Sequence, residues 1–271
     1  MFKSIVYPKL DLATLQTWWS EHSQATSPLA IKYVAQCDST NAQLYRSPHQ
    51  YNTLLVAEQQ SHGKGQFERA WVSQSGDLIF SIGLLLNVAQ LPALSLRIGL
   101  ALHQVLTQYG IQNQLKWPND VIATHPETAQ RGKLAGVLVQ SLPVNEQSFW
   151  VVIGVGLNVS ARWLPQHASN FAPIGLAQLA TEWMSPSAGA REILLMQLVD
   201  NIMLHIETTH SDWVSEWSAQ DLWRNLPVTL TDPQQLEHHG IGAGINAHGE
   251  YQLINDASKT AFHSGQLKAQ L

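Results

Sequence analysis

The chain carries a single cysteine, Cys37, in 271 residues. Neither an internal disulfide framework nor a paired-cysteine metal motif can be built from it. Charge is also scarce: 13% of the residues are Asp, Glu, Lys or Arg, and the formal net charge is -5. With no basic amino-terminal arm and no Lys/Arg run, that balance argues against DNA as a partner, because phosphate-rich nucleic acid demands a basic surface. Long apolar runs are missing as well. The longest, LIFSIGLLL at 78–86, has the length of a strand and falls far short of a membrane span. The start, MFKSIVYPKLDLATL, lacks an unbroken apolar stretch of signal-peptide length. The cytoplasm, with no membrane contact, is therefore the expected location. Twelve histidines are present, yet none form HExxH or another ligand spacing. His238–His239 is expected on the surface, and no repeat or low-complexity segment is visible.

What is present is enough to bury a core. The chain is 45% hydrophobic and contains ten Trp, and its length suits one or two domains. Residues 10–22 and 91–110 repeat apolar side chains at helical spacing, and 190–210 predicts a long helix. Strands are expected at 31–38, 53–60, 77–86 and 114–120, and as a pair at 133–142 and 149–159. Pro118 should end or bend its strand. Residues 121–132 read as a hairpin tip or loop, and 160–189 as part loop, part helix. Trp213, Trp217 and Trp223 form a stripe expected to pack a second domain. From Leu226 the texture becomes short strands and turns, namely 227–232, 237–245, 250–255 and 260–269. The expected division is 1–224 and a small β unit at 225–271.

Four stretches invite chemistry. SHGKGQFERAW (61–71) combines glycines, which let a ligand approach the main chain, with Lys64 and Arg69. Its successive N–H groups and cations suit a nucleotide phosphate. Read alone, it is equally a hairpin turn with exposed charges. KWPND (116–120) offers Asn119 and Asp120 to a sugar, a water or a phosphate-bound magnesium, or else is an Asx-type turn. KLAG (133–136) puts Lys133 at the mouth of an apolar strand, where a solvated edge lysine is the plain alternative. DSTN (38–41) is also a good helix N-cap. A fifth stretch, GVGLN at 154–158, is either ligand-bordering or close-packed strand.

Taken in order, DSTN, AEQQ…GKGxxxRxW, KWPND, KLAGVLVQ and IGVGLNV resemble the motifs of the biotin protein ligases. The likeness covers residues 31–160, and the carboxy-terminal β unit is similar to the family's SH3-like domain. The resemblance implies an α+β fold of the class II aminoacyl-tRNA synthetase/biotin ligase type, with a mixed central sheet, packed helices and a small SH3-like barrel. It implies a ligase that makes biotinyl-5′-adenylate from biotin and ATP, then biotinylates one lysine of the biotin carboxyl carrier protein of acetyl-CoA carboxylase. ATP with Mg2+ is the co-substrate, biotin the substrate, and no tightly bound prosthetic group is expected.

By the same resemblance, Ser39, Thr40, Asn41, Gln60, Gly63, Lys64, Gly65, Gln66, Lys133, Gly136, Gly154 and Gly156 line the biotin side. Lys64, Arg69, Trp71, Asn119, Asp120, Lys133 and Asn158 line the nucleotide side. Lys133 and Lys64 carry the catalysis, and Asp120 is the candidate contact to magnesium. Cys37 is expected to be a strand residue, since the reaction needs no protein nucleophile. The lid expected over the adenylate is 61–71 together with part of 160–172.

Two departures stand out. The family loop usually has Arg where this chain has Gln66, which removes one cation from the adenylate and predicts its faster release. Glu68 pushes in the same direction. Second, residues 1–30 are too few for the winged-helix domain of bifunctional relatives, so a monofunctional form is expected, with 1–30 packed on the catalytic sheet. A homodimer through the central sheet is the family habit. The alternatives are a related lipoate or octanoate ligase, and a biotin-binding module whose phosphate chemistry Gln66 has weakened.

Overall fold

The strand-forming runs fall beside one another in one sheet because their side chains are apolar on both faces and need cover on both. The structure is a computed structural model and describes residues 7–48, 51–161, 171–208, 212–256 and 258–270. In chain order the first part contains α1 (Leu12–His22), β1 (Ala30–Cys37), α2 (Thr40–Arg46), β2 (Thr53–Gln60), β3 (Leu78–Asn87) and α3 (Leu94–Gln108). There follow β4 (Asn113–Lys116), β5 (Asp120–Thr124), β6 (Arg131–Pro143), β7 (Ser148–Leu157), α4 (Leu176–Leu179), α5 (Ala190–Glu207) and α6 (Trp213–Ala219). The sheet order is β1-β2-β3-β7-β6-β5-β4. Only β1 and β2 run parallel, with Tyr33 opposite Val56, and every other pair is antiparallel. The sheet is therefore mixed, as expected.

Strands β3 and β7 are buried along most of their length. Helices α3 and α5 pack together beneath the sheet, and α2 lies on the opposite face over β3 and β7. Under α2, Leu44, Leu55, Trp150 and Val152 form a small apolar cluster of their own. Each such side chain contributes roughly 1.5–3 kcal/mol of gross burial. Trp150 also donates its indole N–H to the carbonyl of Leu44, 3.0 Å away, which ties the helix to the sheet.

The amino-terminal segment rests mostly on α5 and meets the sheet at β1 and, through the Leu10 N–H to Glu58, at β2. Asp11 caps α1 by accepting from the Thr14 N–H. Arg191 of α5, 2% exposed, donates to the Pro8 carbonyl and pairs with Glu58 at 3.2 Å. A buried guanidinium must be paired in this way or it destabilises the core.

The second sheet contains β8 (Pro227–Thr231), β9 (Glu237–Ile245), β10 (Tyr251–Asn255), β11 (Ser258–Phe262) and β12 (Gln266–Ala269), in the order β11-β10-β9-β8-β12. It is open: among the described residues no pairing joins β11 to β12. Its inner side chains Val228, Leu230, Tyr251, Leu253 and Leu267 belong to the same apolar cluster as α3, α5 and the central sheet.

Three expectations need correction. Residues 121–132 are not simply a loop, because β5 begins at Asp120 and its Val121, Ile122 and Ala123 are buried between β4 and β6. The stretch 260–269 breaks at Ser264–Gly265 into two strands at opposite edges of the sheet. Trp223 lies beyond the end of α6, although it is buried with Trp213 and Trp217 in the shared core.

Candidate active site

The expected residues meet above the middle of the central sheet. Ser39 through Asn41, Gln60, Lys64 through Gln66, Arg69, Trp71, Asn119, Asp120, Lys133, Gly136, Gly154, Gly156 and Asn158 all line one cavity of about 330 Å³. That lies at the lower end of the roughly 300–1,000 Å³ usual for small-molecule sites. Of the residues expected there, only Gly63 stays out of the wall. It is buried behind it, with room for no side chain between Gln60 and Trp71.

One end of the cavity is a hydroxyl and amide network. Ser39 is the N-cap of α2, with its oxygen 3.4 Å from the Ala42 N–H. Thr40 donates from its backbone and hydroxyl to Gln60 Oε1, at 2.7 and 3.1 Å. Ser81 Oγ lies 2.7 Å from Thr40 Oγ1 and 2.6 Å from Asn41 Oδ1, and donates to one at a time. Asn41 Nδ2 donates to Gln140 Oε1 at 3.0 Å. Ser39, Thr40, Asn41 and Ser81 are almost wholly buried. Polar groups this deep are tolerated because each has a partner.

Glycines on β6 and β7 make the room. A Cβ at Gly154 would overlap the Asn41 amide, and one at Gly156 would overlap the Trp71 indole. Gly136 faces Gly156 across the ladder and sits against both Trp71 and Lys133. The Lys133 ammonium lies 5.3 Å from the centre of the Trp71 ring, within cation–π range. Trp71 Nε1 is buried and has no partner among the described residues.

The other end is charged. Asp120 stands between two ammonium groups, Lys133 at 2.6 Å and Lys116 at 3.4 Å. Lys64, Arg69, Lys116, Lys133 and Lys268 line the cavity, and Asp120 is the one carboxylate on its described wall. The two asparagines act as backbone clamps. Asn119 Nδ2 donates to the Val137 carbonyl at 2.8 Å, and Asn158 Nδ2 to the Lys133 carbonyl at 2.9 Å. The main chain of Lys133 is further held by Ala172 and Ile174.

The loop 61–71 both turns and lines the site. It closes on itself through Gly65 N–H to the Arg69 carbonyl, 2.7 Å, and Trp71 N–H to the Gly63 carbonyl, 2.8 Å. Its tip is Phe67, 65% exposed and in the left-handed region at φ 56°. The Arg69 guanidinium sits 5.9 Å from that ring. Of the second lid segment, 162–170 lies outside the described residues. Cys37 closes β1, buried, with its thiol pushed up to about 11 by burial, which suits a packing role and not a nucleophile.

Several lining or supporting residues were missed from the sequence, among them four polar ones. Ser81 had one signal, a lone hydroxyl inside the apolar strand LIFSIGLLL. Lys116 lay inside a quoted motif without a role. Gln266 and Lys268 come from β12, and nothing local announces that this strand turns toward the cavity.

Magnesium finds no ready protein cage. Among the described residues no three His, Cys, Asp or Glu side chains gather, and Asp120 already has its charge matched by two lysines.

Residues 33–158 match the model of the biotin/lipoate A/B protein ligase family. The chain is 38% identical over 239 residues to the biotin--[acetyl-CoA-carboxylase] ligase of Mycobacterium tuberculosis, covering 82% of each. It is 28% identical over 237 residues to the bifunctional ligase/repressor BirA of Escherichia coli, covering 85% of this chain and 71% of that one. The solved biotin protein ligase of Aquifex aeolicus in complex with biotin and ATP superposes with a TM-score of 0.70 at 24% identity, over 89% of this chain and 98% of that one.

Proposed function

The chain belongs to the biotin protein ligase family, and from that premise we propose how its own side chains carry the reaction. The protein joins biotin to ATP as biotinyl-5′-adenylate and transfers the biotinyl group to a protein lysine. We assign the hydroxyl and amide end of the cavity to biotin, whose ureido ring is a compact set of donors and acceptors. Ser39, Thr40, Asn41, Gln60 and Ser81 match that chemistry, and the bare backbone at Gly154 and Gly156 gives the bicycle and its chain room to lie on the sheet.

The charged end takes the triphosphate. A carboxylate and a polyphosphate repel, so the first requirement is a surplus of fixed positive charge where they meet. Lys133 and Lys64 supply it at the reacting centre, with Lys116, Arg69 and Lys268 around them. Asp120 holds Lys133 in place until the anions arrive. Magnesium enters as part of the ATP substrate. The biotin carboxylate oxygen attacks the α-phosphorus, the bond to the β-phosphate oxygen breaks, and pyrophosphate leaves. In the second step the carrier lysine, as its free amine, attacks the acyl carbon and AMP departs. Most of the remaining barrier is positioning. The unpaired indole N–H of Trp71 is a donor available to the nucleotide. The loop 61–71 covers the anhydride and keeps water away from it.

The carrier is the biotin carboxyl carrier protein of acetyl-CoA carboxylase, and the reaction runs in the cytoplasm. No helix of the described residues is long and apolar enough to cross a membrane. Residues 1–224 form the catalytic unit and 225–271 the SH3-like unit, with a homodimer as the assembly. The observation that carries the proposal is the convergence of the hydroxyl/amide network and the lysine cluster on one cavity. Mixing the protein with biotin, magnesium-ATP and an apo carrier domain should add one biotinyl mass to one lysine. No mass gain together with no pyrophosphate release would reject the reading. A thermal-shift panel of biotin, lipoate and octanoate separates the neighbouring ligases, with stabilisation expected from biotin alone.

A further inference from the structure

We infer that Tyr251 and the turn before it are positioning residues for the nucleotide end of the cavity, although they belong to the second sheet and do not themselves line the cavity. The inference rests on the assignment of residues 116–120 to the nucleotide.

The turn 116–120 is fixed by the β unit from two directions. Trp117, 1% exposed, donates its indole N–H to the Gly249 carbonyl at 3.1 Å. Its ring lies against Tyr251, with centroids 5.7 Å apart. The peptide between Trp117 and Pro118 is cis. Tyr251, with no exposed surface, donates its hydroxyl to Asp221 Oδ2 at 2.8 Å. Asp221 is itself tied to the strand that leads into the turn. Leu115 N–H donates to the Gln220 carbonyl and Leu222 N–H to the Leu115 carbonyl, both at 2.8 Å. Tyr251 thus holds the strand entering the turn through Asp221, and the turn's first ring through its own face.

The holder is itself rigidly seated. Gly249, at φ 78°, packs so closely on Ala93 and Leu96 at the start of α3 that a Cβ there would come within 2.6 Å of the Ala93 side chain. The Tyr251 hydroxyl passes over Gly242, where a Cβ would sit 2.5 Å from it. Two residues beyond Trp117, Asn119 is clamped to Val137, and Asp120 follows, holding Lys133 and Lys116. A small displacement of the turn therefore reaches the lysines directly, and such misplacement is costly where rate depends on geometry. The hydrogen bond and ring contact of Tyr251 go to Asp221 and Trp117, and neither residue belongs to the hydroxyl and amide end, which is built from α2, β2, β3, β6 and β7.

The test is a split in kinetic constants measured by pyrophosphate release on the full chain. Tyr251→Phe removes one buried hydrogen bond and strands its acceptor, so KM for ATP should rise about tenfold while KM for biotin moves less than about twofold. Trp117→Phe, which removes the indole donor along with part of the ring, should give the same split. The double variant should fall short of the product of the two, because both bonds hold one turn. Tyr109→Phe, which removes a tyrosine hydrogen bond to Gln197 elsewhere in the core, should lower the melting temperature without a split. Equal rises in both KM values, or a loss of melting temperature with both KM values intact, would overturn the inference. If Tyr251→Phe does not fold, the Trp117→Phe result decides. Failure of the functional assignment looks different: the unaltered protein would release no pyrophosphate, or Lys133→Met would leave the rate unchanged.

Discussion

The two ends of the cavity are built by different means. The hydroxyl and amide end is local to one sheet and one helix: Ser39 to Asn41 start α2, Gln60 ends β2, Ser81 sits in β3, and Trp150 pins the helix by a bond to Leu44. The charged end is assembled across the two sheets. Asp120 and Lys133 lie on β5 and β6, Lys268 comes from β12, and Trp117 is pinned to Gly249. In each case a buried indole donates to a backbone carbonyl. One bond closes within the central sheet's own layers and the other bridges the units. Damage to the first should therefore stay with biotin, and damage to the second should spread from the carboxy-terminal unit to ATP.

The most severe break in that contrast is at the shared centre. Lys133→Met should lower the rate of pyrophosphate release about 10²–10³-fold, the usual loss on removing a group that meets developing charge. A rate within threefold of the unaltered protein would show that Lys133 does not face the reacting atoms. Next is Gly154→Ala, whose Cβ overlaps the Asn41 amide. Displacing that amide from a buried network should raise KM for biotin about 10–100-fold with KM for ATP nearly unchanged. Isothermal titration with biotin alone would expose the error if affinity were retained.

A smaller effect tests the bridge by pH. Burial pushes the Asp221 carboxyl up to about 6, with the Trp223 N–H, the Tyr251 hydroxyl and the Arg224 charge pulling the other way. The folded chain then keeps a proton that the unfolded chain releases from its ordinary value of 3.8. Stability from this group is full below about pH 4 and declines as pH rises to about 6, a loss of at most about 3 kcal/mol. Asp221→Asn removes the titration and keeps an acceptor for Tyr251. Its melting temperature should gain on the unaltered protein as pH climbs through that window, and a pH-independent difference would count against the assignment.

The smallest expected change is Gln66→Arg. The added guanidinium should slow dissociation of the adenylate about two- to fivefold, since the cavity already holds other cations. A stopped-flow chase that finds no slowing would mean that Gln66 is not beside the phosphate.

Legibility from the sequence follows the same division. The motifs lie on or directly beside strands with strong apolar patterning, so their elements and their order were readable, and the chain folds all but one of the expected site residues into a single wall. Two features served at once as structure and site. Ser39 is both a helix cap and a lining residue, and SHGKGQFERAW is both a turn closed by its own hydrogen bonds and a part of the cavity wall. Interactions that depend on two distant segments meeting could not be read. Asp120 caught between two lysines needs the register of β5 against β6. Asn119 and Asn158 look like ligand contacts in a motif, yet each donates its amide to a neighbouring carbonyl. The β5 strand was hidden because the five residues Asp120–Thr124 follow a Trp-Pro pair that reads as a turn. The placement of β12 beside the cavity depends on how one sheet seats on the other.

That seating carries a consequence for anyone who would trim the molecule. Trp117, Trp223, Val228, Leu230 and Tyr251 share one dry interior, so excision of the last strands would lay bare aromatic faces that have no other cover. A shortened version should come out of the cell as inclusion bodies, and the tail is better regarded as a keystone than as an appendage.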